Sequence, residues 1–297
     1  MFLKTNSTLV LNKWRYLSFI AGFFLFVAPF AFLVRATLYA LGKIQEPTLH
    51  VFCFRMPIDW IFGGRYSSLL GSSVATMFIV VILASAFLFG PIFCGWLCPV
   101  GSISESASRA IPLPNKFRLR IKDTGITSGL RYGFFVGFIA IAVLVGYKLA
   151  ASEDLSSICC RYCTSSVLQN LSSGLFGNFL AIEYWHTGSI IVLISWLLIG
   201  GVFMQGGRGW CLFFCPLGAL SNVLHKAGAR LGFYRIEHSK SKCASCNLCS
   251  KVCPTWAIRG DKTIERTLCI SCKECVNLCP NGCYSIRRGS SNVQEAS

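Results

Sequence analysis

Charge is scarce in this sequence. Only 13% of its 297 residues are Asp, Glu, Lys or Arg, about half the share found in ordinary soluble domains. Acidic residues are the scarcer kind, 12 against 28 basic ones. With 54% hydrophobic residues, 24 Phe and a mean hydropathy of +0.58, the shortage excludes an ordinary soluble domain and points to an integral membrane protein. The net charge of +16 would suit a nucleic-acid binder only if the basic residues were gathered on one surface or arm. They alternate by segment instead, so no nucleic-acid partner is expected. A small-residue cleavage site is also missing after the first apolar run, so Lys4, Lys13 and Arg15 read as the flank of a retained span, not of a removable leader.

Four apolar runs are present, roughly residues 17–41, 73–93, 130–151 and 188–204, each long enough or nearly so to cross a bilayer as a helix of about 20 residues. Lys plus Arg number three in residues 1–16, three in 42–73, six in 94–131, two in 147–188 and thirteen in 205–297. Because cytoplasmic flanks collect basic residues, both termini and the central loop are expected in the cytoplasm. The expected location is therefore the bacterial inner membrane, in a multi-pass arrangement.

The sequence "FCGWLCPVG" at 93–101 returns as "WCLFFCPLG" at 210–218. Each copy follows a pair of spans, which is an internal repeat of two units with the same orientation. Cys94 and Cys98, like Cys211 and Cys215, are four residues apart and share a face if helical. Duplication would bring the four together at the cytoplasmic ends of the second and fourth spans. Pro99 and Pro216 would stop the helices there and leave carbonyls free nearby. Such a group could hold a metal cluster, form redox disulfides, or pack the contact between repeats as small apolar residues.

After residue 235 the composition turns polar and cysteine-rich. The tail holds "CASCNLCSKVCP" and "CISCKECVNLCP", two complete runs of the kind that ligates [4Fe–4S] clusters in bacterial ferredoxins, where the fourth cysteine of each run serves the other cluster. One ligand set is then Cys243, Cys246, Cys249 and Cys279, and the other Cys269, Cys272, Cys275 and Cys253. Zinc sites use two pairs of ligands, and disulfides are disfavoured in a reducing cytoplasm. Cys283 reads as a buried small residue. The expected architecture is a four-helix transmembrane domain (1–235), a ferredoxin-like α+β domain (236–290) and a disordered end (291–297).

The order of four spans, "CGWLCPVG" after the second, "CLFFCPLG" after the fourth and a terminal pair of ferredoxin runs resembles the NapH family of membrane quinol dehydrogenase subunits, with NosH and MauN among its relatives. The resemblance implies a protein that takes electrons from quinol and passes them, with a periplasmic iron–sulfur or cytochrome partner, to a periplasmic reductase. No flavin-bearing domain like that of NosR, and no extra β-domain like that of CcoG, is expected in this chain. Two other roles fit the same cofactors: a redox maturation factor for a periplasmic metalloenzyme, and an iron–sulfur redox sensor.

Cys53, Cys159, Cys160 and Cys163 fall in the outer loops and depart from the general pattern of that family. They are expected either to ligate a further iron–sulfur cluster or to form disulfides in an oxidising periplasm. Arg35, His50 and His186 are candidates to meet a quinone headgroup, or to anchor at the interface. Trp14, Trp60, Trp96, Trp185 and Trp210 read as interfacial belts.

Overall fold

Proline decides where the first apolar run bends. In the computed structural model, which describes residues 13–43, 53–64, 66–71, 73–111, 113–147, 163–178 and 187–288, that run forms two helices, α1 (Lys13–Phe26) and α2 (Phe32–Ala40). They are separated by a turn around Pro29, which has no N–H to donate and crowds the preceding turn. Carbonyls freed in apolar surroundings need a partner. Arg35 supplies it, donating to the Phe30 carbonyl at 3.1 Å and the Pro29 carbonyl at 2.9 Å. The structure thus gives Arg35 a capping role.

Short helices α3 (Arg55–Phe62) and α4 (Tyr66–Gly71) precede the apolar helix α5 (Ser73–Phe89). A π-helical segment, Phe93–Leu97, then leads into α6 (Pro99–Ala110). The long helix α7 (Thr124–Gly146) and α8 (Thr164–Leu175) follow. The second copy of the repeat starts at α9 (Thr187–Ile194), continues through a π-helical segment, Ser195–Val202, and ends in α10 (Gly209–Phe213) and α11 (Pro216–Arg230). Among the described residues α7 alone is long and apolar enough to cross a membrane by length and composition, with Val74–Phe89 and Ser189–Val202 as shorter apolar helices. The four apolar runs therefore correspond to one full-length helix, two shorter ones and a broken pair.

The prolines of the repeated motif do more than end helices. Pro99 and Pro216 stand in the first turn of α6 and α11, where a missing N–H is no loss. The preceding Cys98 and Cys215 are held extended, as a residue before proline tends to be. The helices that follow then cross over. Helix α6 packs on the π-helical segment of the second repeat, and α11 packs on α5 of the first. Small residues permit the approach: a Cβ at Gly228 would run into the Phe87 carbonyl, and one at Gly201 would stand 3.2 Å from the Ser104 carbonyl oxygen. Phe26, Val34, Phe78, Phe93, Trp196 and Leu217 form the core between the repeats.

The polar tail begins with β1 (Tyr234–His238), which pairs antiparallel with β2 (Tyr284–Arg288), Ile236 opposite Ile286. Between the strands lie two single-turn helices, α12 (Leu248–Val252) and α13 (Glu274–Leu278). Trp256 and Leu268 of the tail share a buried cluster with Leu212 and Phe213 of α10, so the tail is seated on the apolar part. Residues 291–297 lie outside the described residues.

Candidate functional site

Each tail run winds its cysteines inward by the same backbone device. Ser245 and Asn247 flank Cys246 with left-handed φ values of 52° and 59°, and Ser271 and Lys273 flank Cys272 with 52° and 62°. Two such residues curl the chain so that three cysteines face one point. A helical turn carries the third, Cys249 in α12 or Cys275 in α13. The last cysteine of each run, Cys253 or Cys279, is extended before a proline, which directs it away from its own run.

Two small pockets of near-equal size result. Cys243, Cys246, Cys249 and Cys279 line the first, with Cys283 and Tyr284. Cys253, Cys269, Cys272 and Cys275 line the second. Backbone hydrogens point at two of the sulfurs: Ala257 N–H donates to Cys253 Sγ and Cys283 N–H to Cys279 Sγ, both at 3.3 Å, while the Tyr284 hydroxyl, 3.3 Å from Cys249 Sγ, has the Lys262 carbonyl nearer at 2.8 Å. Such bonds favour the thiolate form that cluster ligation uses. Cys283 is buried and donates to the Lys242 carbonyl at 3.0 Å. Among the described residues no three His, Cys, Asp or Glu groups meet at a point fit for a single metal ion. The donor set and the cavities fit [4Fe–4S] clusters.

The crossing of α6 and α11 brings the repeated cysteines together. Cys94, Cys98, Cys211 and Cys215 lie within electrostatic reach of one another. Gly101 and Gly218, equivalent in the two repeats, make room for arginines beside them: a Cβ would run into the Arg208 guanidinium at the first and stand 3.0 Å from Arg131 Nη2 at the second. Two buried arginines border the group. Arg131 reaches Cys94, Cys211 and Cys215, and Arg208 reaches Cys211. Arg131 Nε and Arg208 Nη2 have no hydrogen-bond partner among the described residues, which suits an anionic occupant at the thiols.

Sequence reasoning missed the ion network beside this group. Glu105, fully buried on α6, accepts from Arg15 at 2.8 and 2.7 Å, from Arg208 at 2.7 Å and from Arg109 at 2.9 Å. Burial pushes its carboxyl up, but the three arginines together bring it down to about 2. Arg15 also donates to Glu274 at 3.1 Å and to the Gly95 carbonyl at 3.1 Å, while Arg208 donates to the Cys94 carbonyl at 2.6 Å. The freed carbonyls of the motif are thus capped by arginine. Arg15, read from the sequence as a flanking topology charge, is buried at 0% exposure. One signal was available: Glu105 is the only acidic residue between Asp59 and Asp123.

A family profile described as "4Fe-4S binding domain" matches residues 70–120 and 189–233, the two segments that carry Cys94, Cys98, Cys211 and Cys215. The Escherichia coli protein YccM, named for electron transport, is 28% identical over 224 residues, 71% of this chain and 55% of its own. "Ferredoxin-type protein NapH" of Haemophilus influenzae is 28% identical over 177 residues, 59% of this chain and 51% of its own. "Methylamine utilization ferredoxin-type protein MauN" of Methylobacillus flagellatus is 28% identical over 191 residues, 64% of this chain and 57% of its own. The chain is thus similar, at 28% identity, to ferredoxin-type and electron-transport proteins. It spans a little over half the length of those three relatives, and no solved structure matches it.

Other residues singled out in the sequence have the following placements. Cys53 is half-buried just before α3, and Cys163 is half-buried at the start of α8. Cys159, Cys160, His50, His186 and Trp185 lie outside the described residues. Trp14 is exposed, as an interfacial residue would be. Trp96 instead donates its indole N–H to the Ser271 carbonyl at 3.2 Å and carries Lys273 over its ring, which makes it a contact to the tail.

Proposed function

We propose that this protein takes electrons from quinol at the inner membrane and passes them through three thiolate-ligated iron–sulfur sites. The two tail sites use Cys243, Cys246, Cys249 and Cys279, and Cys253, Cys269, Cys272 and Cys275. The third uses Cys94, Cys98, Cys211 and Cys215. One observation carries the reading: each tail cavity is lined by three cysteines of one run and the fourth of the other, and the second run rests on the motif that holds Cys94. The "4Fe-4S binding domain" match over both repeats supports the third site, as do the orphaned donors of Arg131 and Arg208. The relatives' printed names, electron transport and ferredoxin-type proteins, support the reaction class.

Quinol oxidation releases two electrons and two protons, whereas each iron–sulfur site takes one electron at a time. The clusters supply one-electron chemistry, and the protein holds their thiolates and sets the surrounding charge. In this reading four spans form two parallel repeats, residues 236–290 form the cytoplasmic 2[4Fe–4S] domain and both termini are cytoplasmic; the tail exchanges electrons on the cytoplasmic side, and a periplasmic iron–sulfur or cytochrome partner with a reductase draws on the membrane part. Counting iron and sulfide in the purified protein tests the sites. Three clusters give about twelve irons per chain at four each. About four irons, with no low-potential signal in a reductive titration, would remove the tail reading.

A further inference from the structure

The two tail cavities are placed differently against the rest of the molecule. The second run and the residues leading into it are held against the repeats: Asn222 Nδ2 donates to the Arg266 and Cys269 carbonyls at 3.0 Å each, Arg131 to the Thr267 carbonyl at 3.1 Å and Trp96 to the Ser271 carbonyl at 3.2 Å. Gly95 has no side chain to keep the Ile270 carbonyl away. The first run touches the repeats only towards its end, where Arg120 donates to the Ser250 carbonyl at 2.9 Å and Gln205 to the Lys251 carbonyl at 3.2 Å. That end delivers Cys253 to the second cavity. Cys272 is buried, while Cys246 and residues 244, 245 and 247 are exposed.

A hydrogen-bonded chain joins the second cavity to the repeated motif. From the Cys94 carbonyl it runs through Arg208, Glu105 and Arg15 to Glu274, the neighbour of Cys275. All four side chains are buried, at 0–2% exposure. Ion pairs removed from water are rigid and are not screened by salt, so the chain fixes one cavity against Cys94 and leaves the other facing solvent.

We infer that the two tail sites are ordered. The Cys253–Cys269–Cys272–Cys275 site is the inner station, exchanging electrons with the repeated thiols, and the Cys243–Cys246–Cys249–Cys279 site is the outer station, exchanging them with a partner in solution. Arg15, Glu105 and Glu274 are positioning residues for the inner station. One electron moves per step, reoxidising the repeated thiol site as the inner station is reduced, then the inner as the outer is reduced. The quinol protons leave without entering the tail. This order rests on the reading of three iron–sulfur sites above.

The test uses the purified holoprotein, reduced with dithionite, freed of excess and mixed with hexacyanoferrate(III), with EPR on rapidly frozen samples. In wild type both tail signals decay together. In Cys246→Ser the remaining signal is expected to persist about tenfold longer, since its site no longer has the exposed relay. Equal decay overturns the order. A second pair of variants, Glu274→Gln and Arg15→Lys, keeps all eight tail cysteines. Both EPR signatures and dithionite reduction should be retained, while reduction by duroquinol slows about tenfold, with partial rescue in Glu274→Asp. Wild-type duroquinol rates in both variants also overturn the order. If duroquinol reduces no site even in wild type, the quinol reading falls, and the oxidant arm still decides the order.

Discussion

At the residue scale the most consequential group is Glu105, whose only local signal is its isolation among basic neighbours. The tail cysteines were legible because a ferredoxin run is a local pattern, complete within twelve residues. Glu105 was not, because its partners Arg15 and Arg208 stand 90 and 103 positions away, and ion pairs at that range leave no mark on spacing or hydropathy. Glu105→Gln leaves Arg208 and Arg109 without their carboxylate and Arg15 with Glu274 alone, and is expected to cost about 3–5 kcal/mol, measurable as a fall in the thermal midpoint. The pH windows of two buried groups separate. Burial, and then Arg266, push His225 down from 6.5 to about 4. The folded state therefore prefers the neutral ring, and the stability this gives is full above pH 6.5 and lost as pH falls towards 4. Glu105, lowered from 4.5 to about 2, contributes above pH 4.5 and loses its share as pH falls towards 2. His225→Gln should flatten the midpoint between pH 6.5 and 4 and leave the lower window unchanged. An unaltered slope in that upper range would contradict the placement of His225.

At the element scale, hydropathy located the apolar runs and could not show how they are broken. A window average treats residues 17–41 as one span, whereas Pro29 divides it and Arg35 caps the carbonyls it frees. The repeated motif was legible as two thiols per copy. That each proline also starts the next helix, and that the two following helices cross to the opposite repeat, depends on contacts between copies that no single copy encodes. The crossing rests on a glycine contact. Gly228→Ala places a Cβ against the Phe87 carbonyl and should destabilise by about 1–3 kcal/mol, as overpacking does. A melting point equal to wild type would mean that α11 and α5 are not so close. The segments before α3 and α8 carry Cys53 and Cys163, which the sequence assigns with Cys159 and Cys160 either to a cluster beyond the three proposed sites or to disulfides. A further cluster raises the wild-type count to about sixteen irons, and Cys163→Ser then removes about four, one [4Fe–4S] complement, with the tail signals intact. Unchanged iron together with a reductant-sensitive crosslink between the two loops would assign disulfides instead.

At the scale of the whole molecule, three groups of four cysteines lie in sequence from the crossed repeats through the seated tail to solvent. A bilayer is too thick for one efficient electron step, so stations at its surface are what a quinol-fed chain needs. The buried seam from Arg15 to Glu274 joins repeats and tail into one packed unit. The central claim is that electrons from quinol reach the tail through Cys94, Cys98, Cys211 and Cys215. Its most direct measurement is the rate at which duroquinol raises the tail EPR signals in wild type, Cys98→Ser, Cys215→Ser and the double variant. The account predicts that each single change abolishes that reduction while dithionite still reduces the tail, and that the double change costs little more, as for residues acting as one unit. Wild-type rates in either single variant would contradict it and leave those thiols a packing role alone.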